Sequence, residues 1–132
     1  MQDNAVYLFL AVLIGWMLWQ RLLAPMLSGV KRLDASDYMS MRKSEHVLID
    51  VRSPSEWASG HAPKAMHIPL GEVSGSMHQI PENKPLVVLC ASGNRSAMAA
   101  TALAKKGFSP VYNFSGGMGA WRSAGLPLKT GT

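Results

Sequence analysis

The chain has 132 residues, a formal net charge of +5 at neutral pH and one cysteine, Cys90. A single cysteine excludes an internal disulfide, a C-x-x-C redox pair and a thiolate-rich zinc site. The four histidines lack the spacing of a metal-binding motif, and the basic residues form no run interleaved with aromatic residues, so we predict no metal, no cofactor and no nucleic-acid partner.

An apolar segment lies at the N-terminus. Residues 5–19 contain no charged side chain, and the apolar pattern resumes after Arg21 until Pro25. Because a helix of roughly twenty apolar residues crosses a bilayer, and because Arg21 can extend its charge toward the headgroups, we expect a transmembrane helix from about residue 4 to residue 24. A cleaved signal peptide is the alternative, but basic residues before the run and a small-x-small cleavage site after it are both missing.

The charges that flank this segment predict its orientation. Positive charges follow it, whereas Asp3 precedes it. The positive-inside rule then predicts a single-pass membrane protein whose C-terminal part lies in the cytoplasm. The rest of the chain, about 100 residues, is long enough for one domain. We therefore expect an N-terminal transmembrane anchor over residues 1–27 and a folded domain over residues 28–132.

The first half of this domain alternates strand and helix signals. Residues 30–33 predict a short strand, and residues 34–41 predict a helix that begins at an N-cap residue. The apolar run at 47–51 is typical of a strand that is buried on both faces of a parallel sheet. Ser-Pro-Ser-Glu at 53–56 predicts a helix with a capping box, and residues 66–68 indicate a brief strand.

The second half continues the alternation. Residues 86–89 give the strongest strand signal, and the alanine-rich residues 96–106 predict a helix with basic residues in its last turn. Residues 111–113 indicate a final strand. The glycine pair at 116–117 begins a last helix that contains Trp121. Strands that alternate with helices predict an α/β fold, a parallel sheet with helices on both faces.

Cys90 occupies the position in this pattern where ligands bind. It is the last residue of the strand that begins at 86 or the first residue beyond it, and open α/β folds bind ligands at the carboxyl ends of their strands. Backbone N–H groups of residues 91–96 and the start of the next helix can converge on the sulfur, and both favour an anion. We expect the thiol to ionise more readily than a free cysteine, with Arg95 adding a full positive charge.

The same residues resemble a known family. Cys90 to Ser96 is similar to C-x-x-G-x-R-S, the active-site loop of rhodanese-like domains. Three more segments resemble motifs of that family in the same order. They are Asp50-Val51-Arg52 with Glu56-Trp57 and Gly60-His61, Ala65 to Leu70, and Gly116-Gly117 with Ala120-Trp121.

The resemblance implies a fold, a reaction and a set of site residues. The fold is a five-stranded parallel sheet with helices on both faces, here preceded by the transmembrane helix. The reaction moves a sulfane sulfur from a small anionic donor such as thiosulfate to a thiol or cyanide acceptor through a persulfide on Cys90. The predicted catalytic residues are Cys90 and Arg95, the substrate-binding residues are Ala91, Ser92, Gly93, Asn94 and Ser96, and the supporting residues are Asp50, Arg52 and His61.

Three other functions stay open at this point. A related fold carries cysteine-dependent phosphatases, whose loop holds five residues between the cysteine and the arginine, whereas four stand between Cys90 and Arg95. Some rhodanese-like domains are non-catalytic interaction modules, although these typically lack the cysteine. A protein-specific sulfur carrier at the membrane would use the same mechanism with a different acceptor.

Overall fold

The computed structural model describes residues 2–20 and 29–131. The first range contains helix α1, which spans Gln2–Leu18 and is solvent exposed from Asp3 onward. Across both ranges, none of the helices combines the length and the apolar character that crossing a membrane requires.

The predicted transmembrane span is therefore not supported. Helix α1, which has 17 residues, covers residues 4–18 of the predicted span. The end of the predicted span, with Arg21 and Pro25, lies outside the described residues. The predicted cytoplasmic location of the remaining chain stays a prediction.

The second range forms one five-stranded sheet in which every pair of neighbouring strands is parallel. The strand order is β1-β5-β4-β2-β3, so β4 lies at the centre. This confirms the five-stranded parallel sheet that the resemblance implied. The strands are β1 (Val30–Leu33), β2 (Val47–Asp50), β3 (Met66–His67), β4 (Leu86–Leu89) and β5 (Val111–Phe114).

Helices connect the strands, and their ends follow from local sequence signals. Asp34 caps α2 by accepting a hydrogen bond from the Asp37 N–H at 2.8 Å, and Ser53 with Glu56 forms the predicted capping box of α3. The helices are α2 (Ala35–Met41), α3 (Pro54–Ser59), α4 (Val73–Ser76), α5 (Asn94–Lys106) and α6 (Gly117–Ser123), with two 3₁₀ turns at Leu70–Glu72 and Met77–Gln79.

Helix α5 begins two residues earlier than the sequence predicts, at Asn94 instead of Ser96. Gly93 is its N-cap residue and has φ of +103°, a left-handed conformation that glycine adopts without steric cost. The chain turns there directly from the loop into the helix. Arg95 consequently lies in the first turn of α5.

The core has two layers, one on each face of the sheet. Side chains of β4 alternate between them, so Leu86 and Val88 pack on one face and Val87 and Leu89 on the other. Helices α4 and α5 cover the first face, through residues that include Leu103, and helices α2 and α6 cover the second. The central strand is thereby buried on both sides.

Replacing Phe114 by alanine is expected to lower the free energy of unfolding by about 3–5 kcal/mol. The ring is fully buried, and its centroid lies 5.9 Å from that of Tyr38 and 5.6 Å from that of Trp121. Urea unfolding of the full chain, followed by circular dichroism, measures the change. The control is Met98→Ala on the exposed side of α5, which should cost less than about 0.5 kcal/mol. Equal losses in the two variants would contradict this description of the core.

Candidate active site

Cys90 is the first residue after β4 and is completely buried. Its side chain lies on the same face of the sheet as that of Val88, and it packs in the layer that α5 covers. The sequence places a nucleophilic atom at the carboxyl end of the central strand, as predicted. The sulfur therefore faces the N-terminal end of α5, where backbone N–H groups are not used by the helix itself.

Several hydrogen bonds converge on the Cys90 sulfur. The Gly93 N–H donates to Sγ at 2.9 Å, and the Ser96 hydroxyl lies 3.3 Å from Sγ. Burial raises the pKa of the thiol, but hydrogen bonds from the Ser96 side chain and from the backbone N–H groups of Ser96, Gly93 and Ser92 outweigh it. The pKa of Cys90 is therefore held below its ordinary value, and the thiol ionises more readily than that of a free cysteine.

Asn113 holds the other side of this arrangement. It lies in β5 opposite Val88, and its side-chain oxygen accepts a hydrogen bond from the Ser96 hydroxyl. Its amide nitrogen donates to the Gly93 carbonyl oxygen at 3.2 Å. The sequence analysis did not select Asn113, although a polar residue in an apolar strand next to the reactive strand was the available signal.

The start of α6 also holds the backbone of Cys90 in place. The Met118 N–H donates to the Cys90 carbonyl oxygen at 2.9 Å. Gly117, with φ of +55°, lies so close that an added Cβ would stand 2.5 Å from that same oxygen and would overlap the Ala91 carbonyl group. Only glycine fits at this contact, because any side chain would push the active-site loop, residues 90–96, away from α6.

Arg95 contacts an acidic side chain of α3, which the sequence analysis did not predict. Its guanidinium group donates two hydrogen bonds to the Glu56 carboxylate, at 2.7 Å from Nη1 to Oε1 and 2.8 Å from Nη2 to Oε2. The Arg95 side chain lowers the pKa of Glu56 to about 2. The sequence indicated Glu56 only as a helix-capping residue. The catalytic role of Arg95 stays a prediction.

Asp50 and Arg52 form a buried ion pair at the end of β2. The Arg52 Nη2 lies 2.7 Å from the Asp50 Oδ2, and it also donates to the Gly60 carbonyl oxygen at 2.7 Å. The pair therefore joins the end of β2 to the end of α3, beside the strand that carries Cys90. This position agrees with a supporting role, which stays a prediction.

His61 lies in a packing environment. Its ring stacks on that of Trp57 with centroids 3.6 Å apart, and its Nδ1 lies 2.8 Å from the Trp57 carbonyl oxygen. None of the hydrogen bonds described for His61 leads to Cys90. The backbone of His61 also pairs with that of Lys129, and the predicted supporting role of His61 stays a prediction.

The predicted substrate-binding residues surround the sulfur in different ways. Gly93 and Ser96 contact it directly, whereas the Ala91 and Ser92 side chains are exposed. A cavity of about 370 Å³ borders the outer side of the loop. The cavity is lined by Ser92, Gly93, Asn94, Asn113, Ser115 and Arg32, among others.

Comparison with known proteins identifies a family and several relatives. The family described as the rhodanese-like domain matches residues 34–124. A thiosulfate sulfurtransferase, GlpE, from Pseudomonas syringae is 37% identical over 93 residues, which is 70% of this chain and 88% of the relative. A sulfurtransferase from Allochromatium vinosum is 38% identical over 82 residues, covering 62% of this chain and 77% of the relative.

A solved structure shows the same fold. A rhodanese-related protein from Thermoplasma volcanium superimposes with a TM-score of 0.70 at 29% identity, and the match covers 75% of this chain and 97% of that one. A protein from Rhodopseudomonas palustris, described as a possible tyrosine phosphatase, superimposes with a TM-score of 0.69 at 30% identity, covering 80% and 91% of the two chains. The residues that match the family, 34–124, include strands β2 to β5 and the active-site loop.

Replacing Ser96 by alanine is expected to raise the pKa of the Cys90 thiol, because the hydroxyl hydrogen bond that favours the thiolate is lost. The rate of alkylation by iodoacetamide, measured against pH, should show a midpoint at higher pH than in wild type. Ser92→Ala is the matched control, since Ser92 contributes its backbone N–H, which alanine retains. An unchanged midpoint in Ser96→Ala would contradict this account.

Replacing Gly117 by alanine is expected to destabilise the domain by about 2–4 kcal/mol and to slow alkylation of Cys90. The added Cβ would overlap the backbone of the active-site loop, and the residue would keep a left-handed φ. Gly119→Ala in the same helix is the control, because no atom lies within 4 Å of its added Cβ. Urea unfolding measures the stability of both variants, and equal stability would show that the α6 contact does not constrain the loop.

Proposed function

The chain belongs to the rhodanese-like domain family, and from this premise we propose that it is a sulfurtransferase that carries sulfane sulfur as a persulfide on Cys90. The relatives named thiosulfate sulfurtransferase and sulfurtransferase support the general activity. The donor proposed for this chain is thiosulfate or a related sulfane sulfur compound, and the acceptor is a thiol or cyanide.

The observation that carries the proposal is the set of N–H and O–H groups aimed at the Cys90 sulfur. These groups lower the pKa of the thiol although the residue is completely buried. A thiolate is the reactive form of cysteine, and a persulfide anion at the same place would receive the same hydrogen bonds. The site therefore suits both the attacking group and the intermediate.

In the first step, the Cys90 thiolate attacks the outer sulfur of the donor. With thiosulfate, a new S–S bond forms on Cys90 while the S–S bond of thiosulfate breaks, and sulfite leaves with the bonding electron pair. The product on the protein is a persulfide anion. The thiolate and thiosulfate together carry the same total charge as the persulfide anion and sulfite, so the step consumes no proton and needs no oxidant.

In the second step, the acceptor attacks the outer sulfur of the persulfide. Cyanide would leave as thiocyanate, and a thiolate would leave as a new persulfide, while Cys90 is released as the thiolate. The chain has one cysteine, so a resolving thiol of its own cannot intercept the intermediate. The acceptor must therefore come from outside the chain.

The alternative functions differ in what they require of the loop. A non-catalytic interaction module has no use for hydrogen bonds that favour a buried thiolate. A protein-specific sulfur carrier would share both chemical steps and differ only in the acceptor. A phosphatase would have to hold a phosphoryl group with a loop that has four residues between Cys90 and Arg95, one fewer than that class of enzyme uses.

Replacing Cys90 by serine is expected to abolish persulfide formation and sulfur transfer, because the chain contains no other thiol. Incubating the full chain with thiosulfate and measuring its intact mass should show one added sulfur atom in wild type and none in the variant. Thiocyanate formation from thiosulfate and cyanide should follow the same pattern. Transfer by the variant within about tenfold of wild type would contradict the covalent mechanism, and a wild-type chain that gains no sulfur from any sulfane donor would favour the interaction module.

A further inference from the structure

Glu56 pairs with Arg95, the positive side chain that the sequence analysis predicts to be catalytic. Both terminal nitrogens of Arg95 donate to the two oxygens of its carboxylate, at 2.7 Å and 2.8 Å. This bidentate geometry is the strongest that an arginine and a carboxylate form. About one third of each side chain is exposed, at 37% for Arg95 and 35% for Glu56, so the pair can be reached from solvent.

Glu56 is also held in place from its own helix. Its Oε1 accepts hydrogen bonds from the Ser53 N–H at 3.1 Å and from the Ser53 hydroxyl at 3.0 Å. The contact from the Ser53 N–H belongs to the capping box of α3, and both contacts hold the carboxylate independently of Arg95. An incoming anion would therefore draw Arg95 away from a carboxylate that stays where it is.

A second cation close to the site is engaged as well. Arg52 is buried and paired with Asp50 at 2.7 Å. Arg52 and Arg95 are thus each balanced by a carboxylate, and Arg32 is a further positive charge at the cavity that borders the loop. A doubly charged donor would meet the backbone N–H groups of the loop and a guanidinium group that already holds a carboxylate.

We propose that Glu56 is a specificity-determining residue that competes with anionic donors for Arg95, and thereby disfavours donors of high negative charge relative to donors of low charge. The identity of the donors rests on the proposed function, whereas the competition concerns any anion that approaches Cys90. A ligand that must first displace an internal partner can bind only during the fraction of time in which that partner is absent. Its apparent affinity is reduced by that fraction. Donors without a charged group close to the sulfur do not meet this competition.

Glu56→Gln separates the competition from the structural role of the residue. Glutamine at the third position of a helix can complete the capping box as glutamate does, so α3 should keep its start. The variant loses only the negative charge that holds Arg95. Glu82→Gln is the matched control, because Glu82 is an exposed glutamate in the segment before β4, at the edge of the sheet opposite Cys90.

Two alkylating agents measure the effect without any sulfur transfer. Iodoacetate carries a negative charge and iodoacetamide carries none, and both react with the Cys90 thiolate by forming an S–C bond and releasing iodide. Dividing the iodoacetate rate by the iodoacetamide rate gives an anion-to-neutral ratio in which the thiolate fraction cancels. Glu56→Gln should raise this ratio about 3- to 10-fold, Arg95→Ala should lower it, and Glu82→Gln should leave it unchanged.

Each outcome decides the inference. An anion-to-neutral ratio that is unchanged or lowered in Glu56→Gln overturns it, since Glu56 would then be inert or would hold Arg95 where anions need it. A ratio that does not fall in Arg95→Ala also overturns it, because anions would not meet Arg95 at all. Glu56→Asp gives a second test, because its shorter carboxylate cannot keep both contacts to Arg95 and should raise the ratio as well.

Sulfur transfer is measured in parallel on the same preparations. The kcat/KM for thiosulfate should rise in Glu56→Gln by a factor similar to that of the anion-to-neutral ratio, while the kcat/KM for the acceptor should stay the same. If the ratio rises but no variant takes sulfur from thiosulfate, the proposed function fails and the competition stands. If wild type takes sulfur and the ratio does not rise, the competition fails and the proposed function stands.

Discussion

The hydrogen bonds around the Cys90 sulfur are the constraint that shapes the rest of the domain. A charged sulfur in a completely buried position is costly unless donors surround it. The donors here are mostly backbone N–H groups. They point at the sulfur only because the loop turns sharply and leads at once into a helix. Gly93 provides the turn and α5 provides the helix. Stabilising a charge on the Cys90 sulfur therefore requires this conformation of the whole connection from β4 to α5.

Neighbouring elements hold this connection in position from two directions. Asn113 in β5 links the Ser96 hydroxyl to the Gly93 carbonyl group, and α6 contacts the Cys90 backbone through Met118 and Gly117. The Ser96 hydroxyl has one proton and two possible acceptors, Asn113 and the thiolate. A hydroxyl that can turn between them allows the site to accommodate both the thiol and its anion without moving the backbone.

The sequence predicted the parts of this arrangement that depend on near neighbours. The strand at β4, the capping box of α3 and the position of Cys90 after β4 all have signals within a few residues. Contacts between distant segments were missed, since Glu56 meets Arg95 across 39 positions and Asn113 meets Ser96 across 17. The start of α5 was placed two residues late because a left-handed glycine, and not an apolar repeat, begins that helix.

The central position of β4 has a consequence for the motions that expose the sulfur. This strand is hydrogen bonded along both edges, to β5 and to β2, and its four residues are buried. Amide hydrogens in such a strand exchange with solvent deuterium only when most of the domain opens, whereas those of exposed loop residues such as Ala91 and Ser92 exchange through local opening. Cys90 lies between the strand that exchanges by global opening and the loop that exchanges by local opening. The residue that anchors the intermediate therefore adjoins the strand that opens last, while the loop beside it opens locally.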